Sequence, residues 1–201
     1  MRGLLFLLAV ILVGAAPAFA DDSRDRGVAG PQAPVVRKSP AEARSETLDR
    51  LFARLHRESD GDQAKVIEQG IWKIWMTADS PTAEVLLQQG TRAMSDGAPE
   101  QSLTIFNRLT GAYPDFAEAW NKRATLYFLM KKYPESLADI EKVLDLEPRH
   151  FGALSGRGMI YQRQKNYAAA LDAYRDALAV NPTMEAAKDA VKQLEKLERG
   201  I

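Results

Sequence analysis

The side chains able to do chemistry in this chain are few and scattered. His56 and His150 are its only imidazoles, and there is no cysteine. Neither histidine has a second His or a Cys at ligand spacing, so no zinc set can be assembled from neighbours in sequence. Glu135, Asp139 and Glu141 are carboxylates on a helix-patterned stretch, where surface charge is ordinary. Ser155-Gly156-Arg157-Gly158 is rich in glycine, but it lacks the strand-to-helix setting of a nucleophile elbow. No glycine-rich phosphate loop follows a strand pattern. The expectation is therefore a protein without catalysis and without cofactor, whose chemistry is recognition. Lys+Arg and Asp+Glu balance at 27 each. With neither a basic excess nor a basic face, nucleic acid is not an expected partner.

The elements that would position a recognition surface show a regular period. Pro114, Pro148 and Pro182 stand 34 residues apart, and the same residue types recur around each at the same offsets. The units run 83–116, 117–150 and 151–184. Position 4 is Leu86, Trp120 and Leu154; position 8 is small, as Gly90, Ala124 and Gly158. Position 11 is Ala93, Tyr127 and Tyr161; position 20 is Ser102, Ser136 and Ala170; position 24 is Phe106, Ile140 and Tyr174. Small residues let two helices approach, and large ones fill the space between one helical hairpin and the next. The closing proline lacks an N–H and disfavours helix in the residue before it, so the chain turns. On these residues the chain resembles the tetratricopeptide-repeat (TPR) family, whose period is 34. The resemblance implies an all-α fold: a right-handed superhelix of antiparallel helical hairpins, with about nine helices and no strand.

The flanks read separately. Arg2, the apolar run Leu4 to Val13 and Ala18-Phe19-Ala20 resemble a secretory signal peptide over residues 1–20. The alternative is an uncleaved anchor, for which ten apolar residues are short against the roughly 20 a span needs. A soluble periplasmic protein is expected, with secretion or N-terminal anchoring as alternatives; contact with a membrane is expected only if the segment is retained. Residues 21–38 carry scattered charge, glycine and proline and read as a disordered linker. Order should begin at Ser39, whose Ser-Pro-Ala-Glu start is a capping box with proline at the first helical position. Residues 39–79 read as a helical hairpin, either a degenerate repeat or a cap at the end of the stack. In it Leu48, Leu51, Phe52 and Leu55 form one stripe. Val66, Ile67, Ile71, Trp72, Ile74 and Trp75 carry the second helix, which should stop near Ala78. Both tryptophans are expected in the core. Residues 185–199 read as a capping helix with Ala187, Val191 and Leu194 inward.

By resemblance to the family, the first helix of each hairpin lines a concave groove that docks a peptide or protein segment. In this chain the implied groove positions are Leu87, Thr91 and Met94; then Glu118, Asn121, Thr125, Phe128 and Leu129; then Gly152, Ser155, Met159, Gln162 and Arg163. Asn121 stands out, because a groove amide can hydrogen-bond a peptide backbone through both edges. The family's clamp for a C-terminal carboxylate is absent: Leu87 and Thr91 replace its first Lys and Asn, and Gly152 and Gly156 replace its last basic pair. Gly152 and Gly156 either let a partner backbone come close or are tolerated near a helix start. Arg123 and Arg157, one period apart, read as a stacked pair, open to an anion or simply snorkelling. The expected function is a non-catalytic binding scaffold of the cell envelope. The alternatives are a self-associating structural subunit, a groove filled by the 21–38 arm, and a membrane-tethered assembly factor. The chain resembles the small envelope repeat proteins of Gram-negative bacteria.

Overall fold

In the computed structural model, residues 38–199 are described. The stretch read as a signal peptide, 1–20, and the stretch read as a linker up to Arg37 lie outside them. Among the described residues there are nine helices and no strand. They are α1 (Pro40–Leu55), α2 (Gly61–Trp75), α3 (Pro81–Ser95), α4 (Pro99–Ala112), α5 (Ala117–Leu129), α6 (Tyr133–Leu146), α7 (Phe151–Arg163), α8 (Tyr167–Val180) and α9 (Glu185–Glu198). This is the all-α stack of helical hairpins that the period implied. Pairs α3–α4, α5–α6 and α7–α8 are hairpins, and each packs on the next through α4–α5, α6–α7 and α8–α9.

Local chemistry sets the helix ends. Ser39 and Glu42 close a reciprocal capping box on α1. Asp60 caps α2 by accepting from the backbone N–H groups of Asp62 and Gln63, so the helix starts at Gly61. It stops at Trp75, three residues before the expected Ala78. Within each repeat the turn falls at position 15. Gly97, Lys131 and Lys165 adopt φ of 74°, 59° and 60° there. The next N–H reaches back five residues: Ala98 to Ala93 O (2.9 Å), Lys132 to Tyr127 O (2.8 Å), Asn166 to Tyr161 O (2.9 Å). These are Schellman closures, in which glycine avoids the Cβ clash that a lysine retains.

Packing inside a repeat couples position 8 to position 24. A Cβ on Gly90 would lie 2.5 Å from the Phe106 ring, and one on Gly158 would lie 3.0 Å from the Tyr174 ring. Where position 8 is Ala124, position 24 is the smaller Ile140, and both sit in one core cluster. Position 20 adds a hydrogen bond across the hairpin: Ser102 Oγ donates to Gly90 O (2.8 Å) and Ser136 Oγ to Ala124 O (2.7 Å).

The two arginines do not stack on each other. Arg123 donates twice to Asp139 (2.8 Å each) and also to Asn107 and Thr110, with its guanidinium 4.7 Å from the Trp120 ring. It joins α4, α5 and α6 and is not free to hold an anion. Arg157 pairs separately with Asp176 at 2.8 Å. Ala187 and Leu194 of α9 are fully buried against α8, with Val191 beside them.

The α1–α2 hairpin forms, but it is not stacked ahead of α3. Its core of Leu48, Phe52, Leu55, Ala64, Ile67, Ile71 and Trp75 includes Phe151, and Val180 and Met184 pack against it. Arg149 pairs with Asp49 (2.6 Å) and lies over the Phe52 ring, while His56 Nε2 bonds Ala179 O (2.9 Å). The hairpin therefore sits on the turns that close the second and third repeats, beside the start of α7. Val66, one of the apolar residues of the second helix, is exposed.

Candidate functional site on the inner face

Two helix starts meet the N-terminal hairpin in a buried polar cluster. Glu118, in the first turn of α5, and His150, which caps α7, are both fully buried. His150 Nδ1 accepts the Ala153 backbone N–H (3.1 Å), so its ring proton is on Nε2 and is donated to Glu118 Oε2 (3.2 Å). Asn121 Nδ2 donates to the same oxygen (2.9 Å), and Lys122 Nζ stands 3.0 Å from Oε1. Burial pushes the Glu118 carboxyl up, but the His150 hydrogen bond and the Lys122 charge outweigh it and hold the group below its ordinary value. Trp75 stacks on the imidazole with centroids 4.1 Å apart, and Trp72 meets it edge-on at 5.3 Å. With both imidazole nitrogens engaged and the ring covered, the cluster positions helix starts; it does not reach a substrate.

Gly152 has its reason here. A Cβ on it would lie 2.7 Å from Trp72 Cη2. The close approach is made by this chain's own tryptophan. Gly156 has ordinary room, with Ile140 at 3.6 Å. Trp75 is core as expected, and Trp72 is half-buried, with one face in the cluster.

Beyond the cluster the inner face opens into a cavity of about 670 Å3. Its floor comes from Asn121, Thr125 and Phe128 of α5 and from Gly152, Ser155 and Met159 of α7. One side is α2, through Gly61, Lys65, Glu68 and Trp72; the other is the stretch from Thr183 to Lys188. Spacings of four, three and four place the α2 residues on a single helical stripe. A second cavity of about 560 Å3 continues toward α9 and shares Ser155, Met159 and Ala186 with the first. Gln162 and Arg163 line this extension.

Six of the thirteen implied groove positions thus come together in the first cavity, and two more line its extension. The others lie elsewhere. Leu87 is 3 % exposed and belongs to the core with Phe106, Leu109 and Leu126; its side chain packs between helices, so it is not a groove residue. Thr91 bonds back to Leu87 O, and Met94 packs on the same core. Leu129 is 61 % exposed and lines neither cavity. Asn121 is pinned by Glu118, so its spare capacity is chiefly the carbonyl Oδ1 rather than both edges. The α2 stripe was missed in sequence. Its available signal was Lys65, Glu68 and Trp72 at i, i+3 and i+7, a second face beside the one that packs on α1. Among the described residues no group of three His, Cys, Asp or Glu could hold a metal ion, and no helix is long and apolar enough to cross a membrane.

Tetratricopeptide-repeat family models match residues 115–183 and 87–138. A TPR repeat-containing protein of Rhizobium etli is 37% identical over 164 residues, covering 81% of this chain and 80% of its own length. Sperm-associated antigen 1 of Rattus norvegicus is 31% identical over 54% of this chain, which spans only 12% of that protein. Among solved structures, the first TPR of Spaghetti (RPAP3) bound to an HSP90 peptide superposes with a TM-score of 0.57 at 21% identity, covering 61% of this chain and 97% of that one. MamA gives 0.55 at 18% identity, over 74% of this chain and 84% of its own.

Proposed function

The chain belongs to the tetratricopeptide-repeat family, and from that premise we propose that it is a non-catalytic scaffold that docks a segment of another protein against its inner face. The observation that supports this most is the cavity itself. It is floored by two consecutive first helices, mixes apolar side chains with Asn121, Thr125 and Ser155, and is held open by a rigid stack. Preorganisation of this kind lowers the ordering cost of binding. The RPAP3 structure is of a complex with an HSP90 peptide, but here Trp72 fills the space over Gly152 and Leu87 is core. The guest is therefore read by shape and apolar contact, without a basic clamp.

Substituting Thr125→Arg or Met159→Glu places charge in the cavity at positions that are exposed and not part of the core. Each should abolish co-purification of the partner from native extracts while leaving the circular dichroism spectrum unchanged. Retained co-purification would contradict the inner face as the site. We place the protein in the periplasm of a Gram-negative cell on the strength of residues 1–20. A mature chain beginning at Asp21 by mass spectrometry is expected, and a retained N-terminus would indicate the tethered form instead.

A further inference from the structure

A few polar contacts fasten the α1–α2 hairpin to the repeats, and their chemistry sets the condition under which it lets go. Asp49 Oδ1 of α1 meets Arg149 Nη1 at 2.6 Å. Glu68 Oε1 of α2 accepts from Asn181 Nδ2 (2.8 Å) and Thr183 Oγ1 (2.9 Å). Beneath them Glu118 Oε2 accepts from His150 Nε2 (3.2 Å), which fixes the imidazole on which Trp75 stacks. These three contacts end on carboxylates. The fourth, His56 Nε2 with Ala179 O (2.9 Å), ends on a main-chain carbonyl. The repeats are tied differently. Ser102 and Ser136 hydroxyls donate to main-chain carbonyls across their hairpins. Asp139 is a buried carboxylate there, but its partner Arg123 is also held by Asn107 and Thr110.

The charges around the seam leave nothing to replace a lost carboxylate. Lys122 on α5 and His150 at the start of α7 face Glu118, while α2 presents the uncharged indoles of Trp72 and Trp75. Arg149 faces Asp49 and is shared with Glu147. Near Glu68 the cavity is lined by Lys65, Glu185 and Lys188, of which Lys65 pairs with Asp62 and Lys188 with Glu185. Neutral Glu118 would leave the Lys122 ammonium, whose side chain is only 23% exposed, without its counter-charge.

We propose that the hairpin is an acid-released element: as the seam carboxylates are neutralised, α1 and α2 leave together, Trp72 withdraws from Gly152, and the inner-face cavity loses one side while α3 to α9 stay stacked. Leu48, Phe52, Leu55, Ala64, Ile67 and Ile71 go with the hairpin as its own core, and residues 76–80 keep it attached. Glu118 sets the window. Its carboxyl is held below the ordinary value by His150 and Lys122 against the effect of burial, so its tie is complete above the unfolded value of about 4.3 and is lost as pH falls through the lower folded value. Release needs no guest and therefore stands or falls separately from the scaffold reading.

The chain has no cysteine, so introduced pairs can carry spin labels in the purified protein. Ala53→Cys with Asp172→Cys spans the hairpin and α8; Glu100→Cys with Asp172→Cys spans the repeats alone, and all three positions are exposed. By double electron–electron resonance at about pH 7, each pair should give one narrow distance. From about pH 5 to about pH 3 the first pair should gain a longer population that disappears on neutralisation, while the second keeps its distance. Asp49→Asn with Glu68→Gln copies the neutral state of the two outer ties and should raise the midpoint of release by about one pH unit. Glu141→Gln on the outer surface should leave it in place. Glu118→Gln should make the release shallower in pH; if that buried variant does not fold, the Asp49 and Glu68 variant carries the test by itself. A change of both distances at the same pH would mean that acid unfolds the chain as one unit, and would overturn the inference. So would a hairpin distance unchanged down to about pH 3, or a midpoint that Asp49→Asn with Glu68→Gln does not move.

Discussion

The α1–α2 hairpin and the three that follow it are built from helices of similar length, yet different devices hold them in place. In a repeat, a small residue at position 8 receives the side chain at position 24 and the hairpin stacks on its neighbour in sequence. The N-terminal hairpin has its own core of Phe52, Ile67, Ile71 and Trp75 and is fastened sideways to residues far along the chain. Its aromatic rings cover a histidine and a glycine at the start of α7. Repetition produces the first arrangement and requires only local agreement. The second depends on particular partners, and it turns an open repeat surface into a walled one.

The sharpest way to separate the two regions is Trp75→Ala. Loss of a large buried aromatic costs about 3–5 kcal/mol. Hydrogen exchange should show α1 and α2 losing protection while α5 to α8 keep theirs. Simultaneous loss throughout would mean that the stack depends on the hairpin. Next in size is Gly90→Ala, which drives a Cβ into the fully buried Phe106 ring and should cost about 1–3 kcal/mol in urea unfolding. Adding Phe106→Ile recreates the Ala124 and Ile140 pairing of the second repeat. It should recover part of that loss, a coupling that a double-mutant cycle measures.

A smaller effect concerns the seam between the regions. The Glu118 carboxyl is held below its ordinary value in the folded chain. Its contribution is therefore complete above the unfolded value of about 4.3, and it is lost as pH falls through the lower folded value. Glu118→Gln should flatten that part of the acid limb in a pH series of thermal melts. Glu42 and Asp60, held low by backbone N–H groups at their helix starts, keep a residual slope. The smallest change is Lys131→Gly, which removes the Cβ from a left-handed turn residue. The relief exceeds glycine's entropy cost by about 0.5–1 kcal/mol, and the melting temperature should rise slightly.

The repeats were legible because their rules are local. Prolines, small residues and aromatics at fixed offsets report the helices, their turns and the pairing within each hairpin. The place of α1–α2 was not, because its fastening residues look ordinary one at a time. In sequence His150 is a lone histidine, Gly152 a glycine near a helix start open to two readings, and Glu68 one carboxylate among many. Only three-dimensional proximity joins them. The groove positions illustrate the same limit. Asn121, Thr125, Phe128, Gly152, Ser155 and Met159 face one cavity. Leu87, at the equivalent offset in the first repeat, is sealed into the core with Phe106, Leu109 and Leu126.

Site-specific photocrosslinking in living cells addresses the inner face most directly. A photoreactive residue at position 159, where Met159 is 41 % exposed and borders both cavities, is compared with one at position 142 on the outer surface. The account predicts one discrete adduct from position 159 that disappears with Thr125→Arg, and none from position 142. Equal adducts from both positions, or an adduct from 159 that persists when the cavity carries that charge, would contradict it.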